Sequence, residues 1–304
     1  MPVWNNAAYV GEAIESILAQ THDNVEFIIV DDGSDDECPG IIADYATKDR
    51  RIKPLYRQRN PHLLSGAQAR HAGIAIAEGE YIAAMDSDDI ALPDRIAMQL
   101  AYMQAHQLDA CGGQAEVFGA SEGSIWFPET AIAIDHELVF RVAMLHPTMI
   151  VKADFMREVR YNEDVGHDDY EWQARATQLG KLGNINQTVL RHRVHQGQSN
   201  QLFREQFKAD LRRFRFAHIF RLFPNISASE YQILGFMAER RPLATREELD
   251  LAGEWLIRLS TVADPKLRAR NLRRWHEICT IADYRLPKAE MDDIGHRIFS
   301  ATGD

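Results

Sequence analysis

The chain has 304 residues, of which 45% are hydrophobic, and a formal net charge of −11. This length suits one large domain or two smaller ones with a substantial core, and the negative charge argues against general nucleic-acid binding, which needs a basic face. No apolar run approaches the roughly 18 residues of a membrane span, and no signal core opens the chain, so we expect a cytoplasmic location. Cys38, Cys111 and Cys279 lack metal-ligand spacing, which favours a reducing compartment without disulfides.

Helix and strand patterns alternate over about the first two thirds of the chain. Met1–Asn6 resembles the end of a strand and a turn without the strand itself, which suggests that Met1 is an internal methionine. Val10, Ile14, Ile17 and Leu18 then have the spacing of one apolar helix face, and the strand Val25–Val30 and the turn Asp31–Ser34 follow. A helix at 65–77 precedes the strand Tyr81–Met85. This order predicts an α/β fold with a mainly parallel sheet covered by helices on both faces.

Beyond about residue 200 the pattern is almost continuously helical. The predicted helices are Gln201–Phe220, Ser227–Ala238, Thr245–Val262, Pro265–Cys279 and Ala289–Phe299. We therefore divide the chain into residues 1–198, an α/β domain, and residues 199–304, a helical C-terminal region. The segment Leu211–Phe223 mixes aromatic residues with arginines, a composition that suits contact with a membrane surface or a partner. The spacing of the arginines nevertheless favours the alternative, in which they form the solvated side of a packed helix.

Three carboxylates lie close together at the expected carboxyl end of the strand Tyr81–Met85. Asp86, Asp88 and Asp89 repel one another, which raises their pKa values unless a cation neutralises them. Oxygen ligands favour Mg²⁺ or Mn²⁺, and these ions in open sites usually hold substrate phosphates. The alternative is that Ser87 and the aspartates cap a helix that begins near Pro93.

Other polar residues also lie at strand ends, where open α/β sheets bind ligands. Asp31 and Asp32 can accept hydrogen bonds from a base or ribose, although Asp-Asp-Gly-Ser is also a common plain turn. Arg70 can hold a phosphate or the acidic cluster, or form an ordinary surface ion pair.

Two further candidates come later in the chain. Asp168 and Asp169 precede an amphipathic helix, so one carboxylate can cap it while its neighbour projects into a cleft as a general base; capping by both is the alternative. His195 is a candidate metal or diphosphate ligand, although a lone histidine is more often structural or exposed.

Nine short motifs in a fixed order resemble the family 2 glycosyltransferases with a GT-A fold. They are Pro2–Asn5, Ala13–Thr21, Val30–Ser34, Ala69–Ile74, Gly79–Ile82, Met85–Asp89, His146–Thr148, Asp168–Trp172 and Arg193–His195. They span roughly the first two thirds of the chain, and chance agreement in this order is improbable.

The resemblance implies a donor site for a nucleotide diphosphate sugar. Asp32 and Asp31 would bind the base and ribose, in a pocket lined by Pro2, Val3 and Asn5.

The resemblance also implies a diphosphate and metal site. Its residues are Arg70, Asp86, Ser87, Asp88, Asp89 and His195. Asp86 and Asp88 form the Asp-x-Asp motif that holds Mn²⁺ or Mg²⁺, with Asp89 and His195 as additional ligands, and we expect Asp88 to contact the ion directly. Asp168 and Asp169 form the catalytic pair, with Asp169 as the base.

The sequence departs from the family pattern in four places. Trp4 replaces a usual tyrosine, His71 a common asparagine and Asp168 the usual glutamate. The family also begins with an apolar central strand before the Pro-Val pair, so a chain starting at Met1 would lack core hydrogen bonds and part of the base pocket.

The resemblance therefore implies an inverting, metal-dependent transfer of a sugar, from a uridine-linked donor, to a hydroxyl of a glycan or lipid-linked acceptor in bacterial surface polysaccharide synthesis. We expect acceptor contacts from the segment between Cys111 and His146 and from the C-terminal helices, where membrane-surface contact and homo-oligomerisation are further options. One alternative is a non-catalytic nucleotide-sugar-binding subunit. Another is a nucleotidyltransferase, which would need a basic, glycine-rich phosphate loop that Asn5–Tyr9 does not provide.

Overall fold

The computed structural model describes residues 1–60, 66–198, 204–262 and 264–301, and the chain divides into two compact units. The first unit comprises Met1–Phe127 and Met144–Asp210, and the second comprises Pro128–Ala143 and Leu211–Asp304. The division differs from the boundary predicted at residues 198/199, because Val139 and Phe140 pack into the apolar core of the C-terminal helices.

The elements follow one another in the alternating order that the sequence indicates. Up to residue 127 they are β1 (Pro2–Val3), α1 (Ala7–Leu18), β2 (Phe27–Asp31), α2 (Cys38–Lys48), β3 (Ile52–Tyr56), α3 (Ala67–Ile76), β4 (Tyr81–Ala83), β5 (Ile90–Ala91), α4 (Arg95–His106), β6 (Ala110–Gly119) and β7 (Gly123–Ile125). Next come α5 (Ala131–Leu138), a 3-10 turn (His146–Thr148), β8 (Ile150–Lys152), α6 (Ala153–Val159), α7 (Asp168–Leu179) and β9 (Leu182–Val194). The last are α8 (Arg204–Leu222), α9 (Ala228–Glu239), α10 (Arg246–Leu259), α11 (Pro265–Ile281) and α12 (Lys288–Ser300).

The strands of the first unit form two sheets. The parallel sheet has the order β1-β2-β3, and the second has the order β4-β8-β6-β9-β5, with β7 paired to β6. The second sheet is mixed, because β8 runs antiparallel to both β4 and β6, whereas β6 and β9 are parallel. The predicted α/β class is confirmed. The parallel arrangement holds for the first sheet and for the β6–β9 pair, whereas the other pairs of the second sheet are antiparallel. Hydrophobic periodicity indicates which residues a strand buries but not the direction in which it runs.

The core of the first unit forms where the predicted apolar faces meet. Val10 and Ile14 of α1 are fully buried, and Phe27 and Ile29 of β2 are buried against them in one cluster. Burying a side chain of this size contributes about 1.5–3 kcal/mol. This packing fixes the carboxyl end of β2, where the first acidic turn begins.

A large cavity lies alongside β1. The strand pairs with β2 only through Pro2 and Val3, so the pairing does not extend along the rest of β2. The cavity has a volume of about 780 Å³ and is lined by Ile28 and by residues 81–85, among others. The α-ammonium of Met1 donates to the Ile28 carbonyl at 2.8 Å, and burial lowers its pKa to about 5.

The second unit is a helical bundle. Its predicted helices are confirmed with small shifts in their ends, and the first three residues of Gln201–Phe220 lie outside the described residues. Ser227 and Thr245 form capping boxes, and Asp264 accepts from the Lys266 and Leu267 amides, which explains where these helices begin. None of the helices in the described part of the chain is long and apolar enough to cross a membrane.

Candidate active site

The acidic cluster lies in the loop between β4 and β5. The next helix, α4, begins at Arg95 with Asp94 as its N-cap, after β5 has intervened. The cluster therefore does not cap that helix, and the capping alternative is wrong. Each of its three aspartates instead faces a histidine from a distant part of the first unit.

Asp88 is paired with His195 from the end of β9. The His195 Nδ1 accepts a hydrogen bond from the Gly197 amide at 3.2 Å, so the ring proton lies on Nε2, which donates to Asp88 Oδ2 at 2.9 Å. The Tyr9 ring lies 4.6 Å from the His195 ring. Burial and the neighbouring Asp86 raise the pKa of Asp88. A cation bound at Asp88 would stabilise the ionised carboxylate against both effects.

Asp89 is the buried member of the cluster. Its side chain is 0% exposed, and its two oxygens lie 3.1 Å from His192 Nδ1. One oxygen also accepts from the Arg193 amide at 2.8 Å. Burial raises the pKa of Asp89 to about 6, and the surrounding carboxylates raise the pKa of His192 despite its burial. Asp89 thus ties β9 to the acidic loop instead of pointing into open space.

Asp86 is the most accessible of the three carboxylates. Its side chain is 35% exposed, and its Oδ1 lies 3.7 Å from His146 Nδ1. Burial acts to raise the pKa of Asp86, but the interactions with His146 and with Arg70 outweigh it, so that the pKa is lowered. The other ring nitrogen of His146 lies 3.0 Å from the Tyr161 hydroxyl, which fixes the ring.

The arrangement suits an open site for a hard cation. Asp86 and Asp88 offer accessible carboxylate oxygens, the ligand type that Mg²⁺ and Mn²⁺ prefer. Within the residues that the structure describes, no three His, Cys, Asp or Glu side chains converge to enclose a metal ion. Two carboxylates with room for water and phosphate oxygens are what these ions use in substrate sites. For His195 to join them, its Nε2 would have to give up the proton that it donates to Asp88.

Arg70 forms a buried ion pair with Asp168, not a surface one. Its guanidinium donates to Asp168, and the two side chains are 15% and 5% exposed. The Tyr161 ring lies 5.2 Å from the guanidinium carbon. Burial acts to lower the pKa of Arg70, but the interactions with Asp168, Tyr161 and Asp86 are stronger, so the pKa is raised above its ordinary value. Arg70 is therefore a permanent cation beside the acidic loop. Asp168 is therefore engaged in holding Arg70, and burial raises its own pKa.

Asp169 is the freer carboxylate of its pair. It lies in the first turn of α7, its side chain is 27% exposed, and its Oδ1 accepts from the Tyr170 amide at 2.7 Å. Burial acts to raise its pKa, but the interactions with His167 and His146 outweigh it and hold the pKa at about 2. Asp169 is thus ionised at neutral pH, as a proton acceptor must be.

The first acidic turn carries carboxylate oxygens without hydrogen-bond partners. Asp31 and Asp32 are 4% and 6% exposed, and the Oδ1 atom of each accepts no hydrogen bond, although Asp32 Oδ1 lies in an ion pair 3.3 Å from Arg57 Nε. Asp32 Oδ2 accepts from Arg59 at 2.8 Å, and the Arg59 guanidinium lies 4.0 Å from the centre of the Trp4 ring. Buried acceptors of this kind are costly unless a donor reaches them, and the N–H and O–H groups of a nucleoside are suitable donors.

The remaining predicted donor-site residues surround this turn. The Val3 carbonyl accepts from the Asp32 amide at 2.8 Å, which places Pro2 and Val3 beside the turn. Asn5, in a left-handed conformation with φ 49°, accepts through Oδ1 from the Asp35 amide at 2.8 Å. Ser87 is buried and its hydroxyl accepts from Asn6 Nδ2 at 2.8 Å, which links the loop between β4 and β5 to the turn between β1 and α1.

Sequence reasoning missed three residues of the site. His146, His192 and Tyr161 contact the predicted carboxylates or Arg70. His146 lies in a motif that was recognised, but nothing in its spacing indicated its partner. Tyr161 lies in a segment without a motif, and His192 lies in the stretch Arg191–His195, of which only His195 is a predicted site residue. Only the folded chain brings Tyr161 and His192 to the acidic loop.

Comparisons with known proteins identify similar chains. Residues 1–166 match the sequence profile described as glycosyl transferase family 2. An uncharacterised glycosyltransferase of Haemophilus influenzae is 28% identical over 218 residues, which cover 67% of this chain and 67% of that protein. Glycosyltransferase GlyG of Streptococcus pneumoniae is 30% identical over 215 residues, which cover 65% of this chain and 70% of that protein.

Solved structures share the fold at low identity. TarS of S. aureus, in a complex with UDP-GlcNAc, has a TM-score of 0.60 at 16% identity, over 98% of this chain and 89% of that one. Mannosyltransferase PcManGT of Pyrobaculum calidifontis, in a complex with GDP-Man and Mn²⁺, has a TM-score of 0.52 at 15% identity, over 97% of this chain and 77% of that one. These likenesses confirm the predicted GT-A fold.

Proposed function

The chain belongs to glycosyl transferase family 2, and from that premise we propose that it transfers a sugar from a nucleotide diphosphate sugar to an acceptor hydroxyl, with inversion at the anomeric carbon. We propose a UDP-sugar as donor and a glycan or lipid-linked saccharide of the bacterial surface as acceptor. Complexes of similar structures with UDP-GlcNAc and with GDP-Man and Mn²⁺ support a nucleotide-sugar donor. The proposed site of action is the cytoplasm or the inner face of the membrane.

One observation carries this proposal. His146 lies 3.7 Å from Asp86 and 3.0 Å from the Tyr161 hydroxyl. The Tyr161 ring packs 5.2 Å from Arg70, which pairs with Asp168, so a chain of contacts joins the candidate diphosphate site to the neighbour of the candidate base, Asp169. A single displacement needs both: a group that accepts the proton of the nucleophile and a site that holds the leaving group.

We assign the steps to residues as follows. Asp169 takes the acceptor proton as the acceptor oxygen bonds to the anomeric carbon, and the bond from that carbon to the diphosphate breaks. Because Asp169 is partly exposed and its neighbour Asp168 holds Arg70, we assign a single base and a direct displacement instead of a covalent intermediate.

The donor half of the site binds and orients the nucleotide. Asp31 and Asp32 offer buried acceptors to the base and ribose, and Arg70 directs positive charge toward the leaving diphosphate. Asp86 and Asp88 would hold the divalent cation. When bound, the cation supplies further positive charge that stabilises the departing diphosphate. We assign Asp89 a positioning role through His192 and Arg193.

A two-stage experiment tests the function. Calorimetry with UDP and GDP, each with and without Mn²⁺, is followed by a screen of nucleotide sugars for release of the nucleoside diphosphate. We expect the nucleoside diphosphate to bind in a metal-dependent manner, and the protein to hydrolyse nucleotide sugars of one class slowly. Metal-dependent binding without turnover for any donor–acceptor pair would instead favour a non-catalytic sugar-nucleotide subunit. Release of inorganic diphosphate from a nucleoside triphosphate would identify a nucleotidyltransferase.

A further inference from the structure

Two neighbouring residues of α3 hold the two ends of the segment that connects α6 to α7. Arg70 pairs with Asp168, where the segment ends. His71 faces its beginning: Nε2 lies 3.1 Å from the Tyr161 amide nitrogen, and Nδ1 lies 2.5 Å from Glu163 Oε1. The His71 side chain is 13% exposed, so both contacts are largely shielded from water. The proposed transfer mechanism assigns no role to His71 or Glu163.

The two hydrogen bonds define one tautomer of the His71 ring. A backbone amide can only donate, so Nε2 accepts from Tyr161 and carries no proton. The ring proton therefore lies on Nδ1, which donates to Glu163. This hydrogen bond lowers the pKa of Glu163 and so favours the ionised carboxylate, which is the better acceptor. His71 thus holds the segment through its backbone at one position and through a side chain at another.

The backbone just before Tyr161 is strained and depends on such contacts. Arg160 has φ 44°, a conformation that is unfavourable for a residue other than glycine. The Arg175 guanidinium of α7 donates to the carbonyls of Val159 and Arg160, the second at 2.7 Å. A strained conformation persists only where its surroundings fix it. Here Arg175 fixes the carbonyl groups and His71 fixes the amide that follows them.

Tyr161 connects this backbone to the candidate site. Its hydroxyl lies 3.0 Å from His146 Nε2, and the other nitrogen of that ring lies 3.7 Å from Asp86. Its ring lies 5.2 Å from the guanidinium carbon of Arg70. Because Tyr161 is only 5% exposed, a shift of its backbone would carry the hydroxyl and the ring with it. Small displacements of this kind slow enzymatic reactions because the reacting groups lose their alignment.

We propose that His71 is a positioning residue: it holds Tyr161 so that Arg70 and His146 keep their places beside the acidic loop during transfer. The proposal rests on the proposed function, and in it His71 touches neither donor nor acceptor but acts through Tyr161. Loss of the contact should therefore slow transfer. It should have little effect on nucleotide affinity, because the nucleoside would be bound at the first acidic turn, after β2.

Two substitutions separate the two hydrogen bonds of His71. Asparagine can place its amide nitrogen near the position of Nδ1, but it is too short to reach the Tyr161 amide. Glutamine can place its amide oxygen near the position of Nε2 and accept from that amide. We expect His71→Asn to lower kcat by about five- to tenfold, the effect of one lost hydrogen bond, and His71→Gln to stay within about threefold of the wild type. Calorimetry with UDP and Mn²⁺ should give affinities within about threefold of the wild type for both.

Hydrogen exchange followed by NMR measures the contact without any substrate. The Tyr161 amide should exchange at least about tenfold faster in His71→Asn than in the wild type, and at nearly the wild-type rate in His71→Gln. Nitrogen-15 spectra of histidine-labelled protein should show the His71 ring protonated on Nδ1. The matched control is His276→Asn, which replaces an exposed histidine of α11 and should behave like the wild type in every measurement.

Several results would overturn the proposal. These are equal kcat values for His71→Asn and His71→Gln, equal exchange of Tyr161 in the two variants, or a His71 ring protonated on Nε2. A loss of UDP affinity as large as the loss of kcat would indicate a general structural role instead. Should circular dichroism show that His71→Asn is unfolded, Glu163→Ala replaces it. That variant frees the ring to turn, so it should lower kcat several-fold and speed exchange of Tyr161, and wild-type values for both would overturn the proposal.

The two kinds of measurement also separate this proposal from the proposed function. A wild-type protein that transfers no sugar from any donor would contradict the function. The exchange rates and the nitrogen-15 spectra need no turnover, so they would still decide whether His71 holds Tyr161.

Discussion

Replacement of Asp169 by asparagine removes the proposed proton acceptor while it preserves the shape of the site. The asparagine oxygen can still accept from the Tyr170 amide, which in the wild type donates to Asp169 Oδ1 at 2.7 Å. Asp169 has no contact with Asp31 or Asp32, so nucleotide binding should remain near the wild-type level. The change therefore separates donor binding from transfer.

The structure allows the two effects of this substitution to be compared. The pKa of Asp169 lies at about 2, below its ordinary 3.8, which corresponds to roughly 2 kcal/mol of folding stability at neutral pH. Because the folded-state pKa is lowered, this contribution is present above about pH 4 and is lost as the pH falls toward 2. General base catalysis contributes about 10²–10⁴ in rate, or roughly 3–5 kcal/mol of the barrier. The loss of transfer should thus exceed any effect of reduced stability.

The assay measures kcat and nucleotide affinity at a temperature where circular dichroism shows both proteins folded. We expect Asp169→Asn to lower kcat by at least about a hundredfold and to leave the affinity within about threefold. The matched control is Asp164→Asn, an exposed aspartate of the preceding loop. Transfer by Asp169→Asn at a rate near that of this control would refute the assignment of the base.

Two other substitutions test separate parts of the structure. Asp88→Asn should weaken nucleotide diphosphate binding in Mn²⁺ by about tenfold or more and leave metal-free binding unchanged in calorimetry; equal affinities in Mn²⁺ would contradict its role. Glu137 has a pKa of about 2 instead of 4.5, so wild-type stability should fall by roughly 3 kcal/mol as the pH drops from about 4.5 to 2. Urea titrations should show Glu137→Gln to be less stable than the wild type at neutral pH, without the acid-dependent loss. If the free energies of unfolding of the two proteins depend on pH in the same way, the ion pairs of Glu137 with Arg141, Arg270 and Arg274 do not stabilise the fold.

Local sequence signals located the carboxylates but not their partners. The acidic turn after β2 and the loop after β4 follow apolar runs, because ligand-binding residues of such sheets lie where strands end. Periodicity also placed the helices of the second unit, because capping residues such as Ser227 and Thr245 mark their starts.

The pairings across the first unit could not be read from the sequence. His195 and Asp88 are 107 positions apart, and His192 and Asp89 are 103 apart, so no local pattern links them. The same limit explains why Asp89 was grouped with the metal ligands. Neighbouring aspartates look equivalent in a sequence, but the loop turns Asp89 inward and leaves Asp86 accessible.

The segment 128–143 shows a third limit. Its sequence continues the pattern of the first unit, yet Val139 and Phe140 pack in the core of the C-terminal helices. An apolar face specifies that it must be buried, but not which core buries it.

The central claim is that Asp86 and Asp88 hold the cation that anchors the donor diphosphate near Asp169. Anomalous scattering from crystals grown with Mn²⁺ and UDP tests this most directly. We expect one manganese peak at bonding distance from Asp88 and from the diphosphate, with the base against Asp31 and Asp32. A manganese ion bound away from Asp86 and Asp88, or UDP bound outside this site, would contradict the claim.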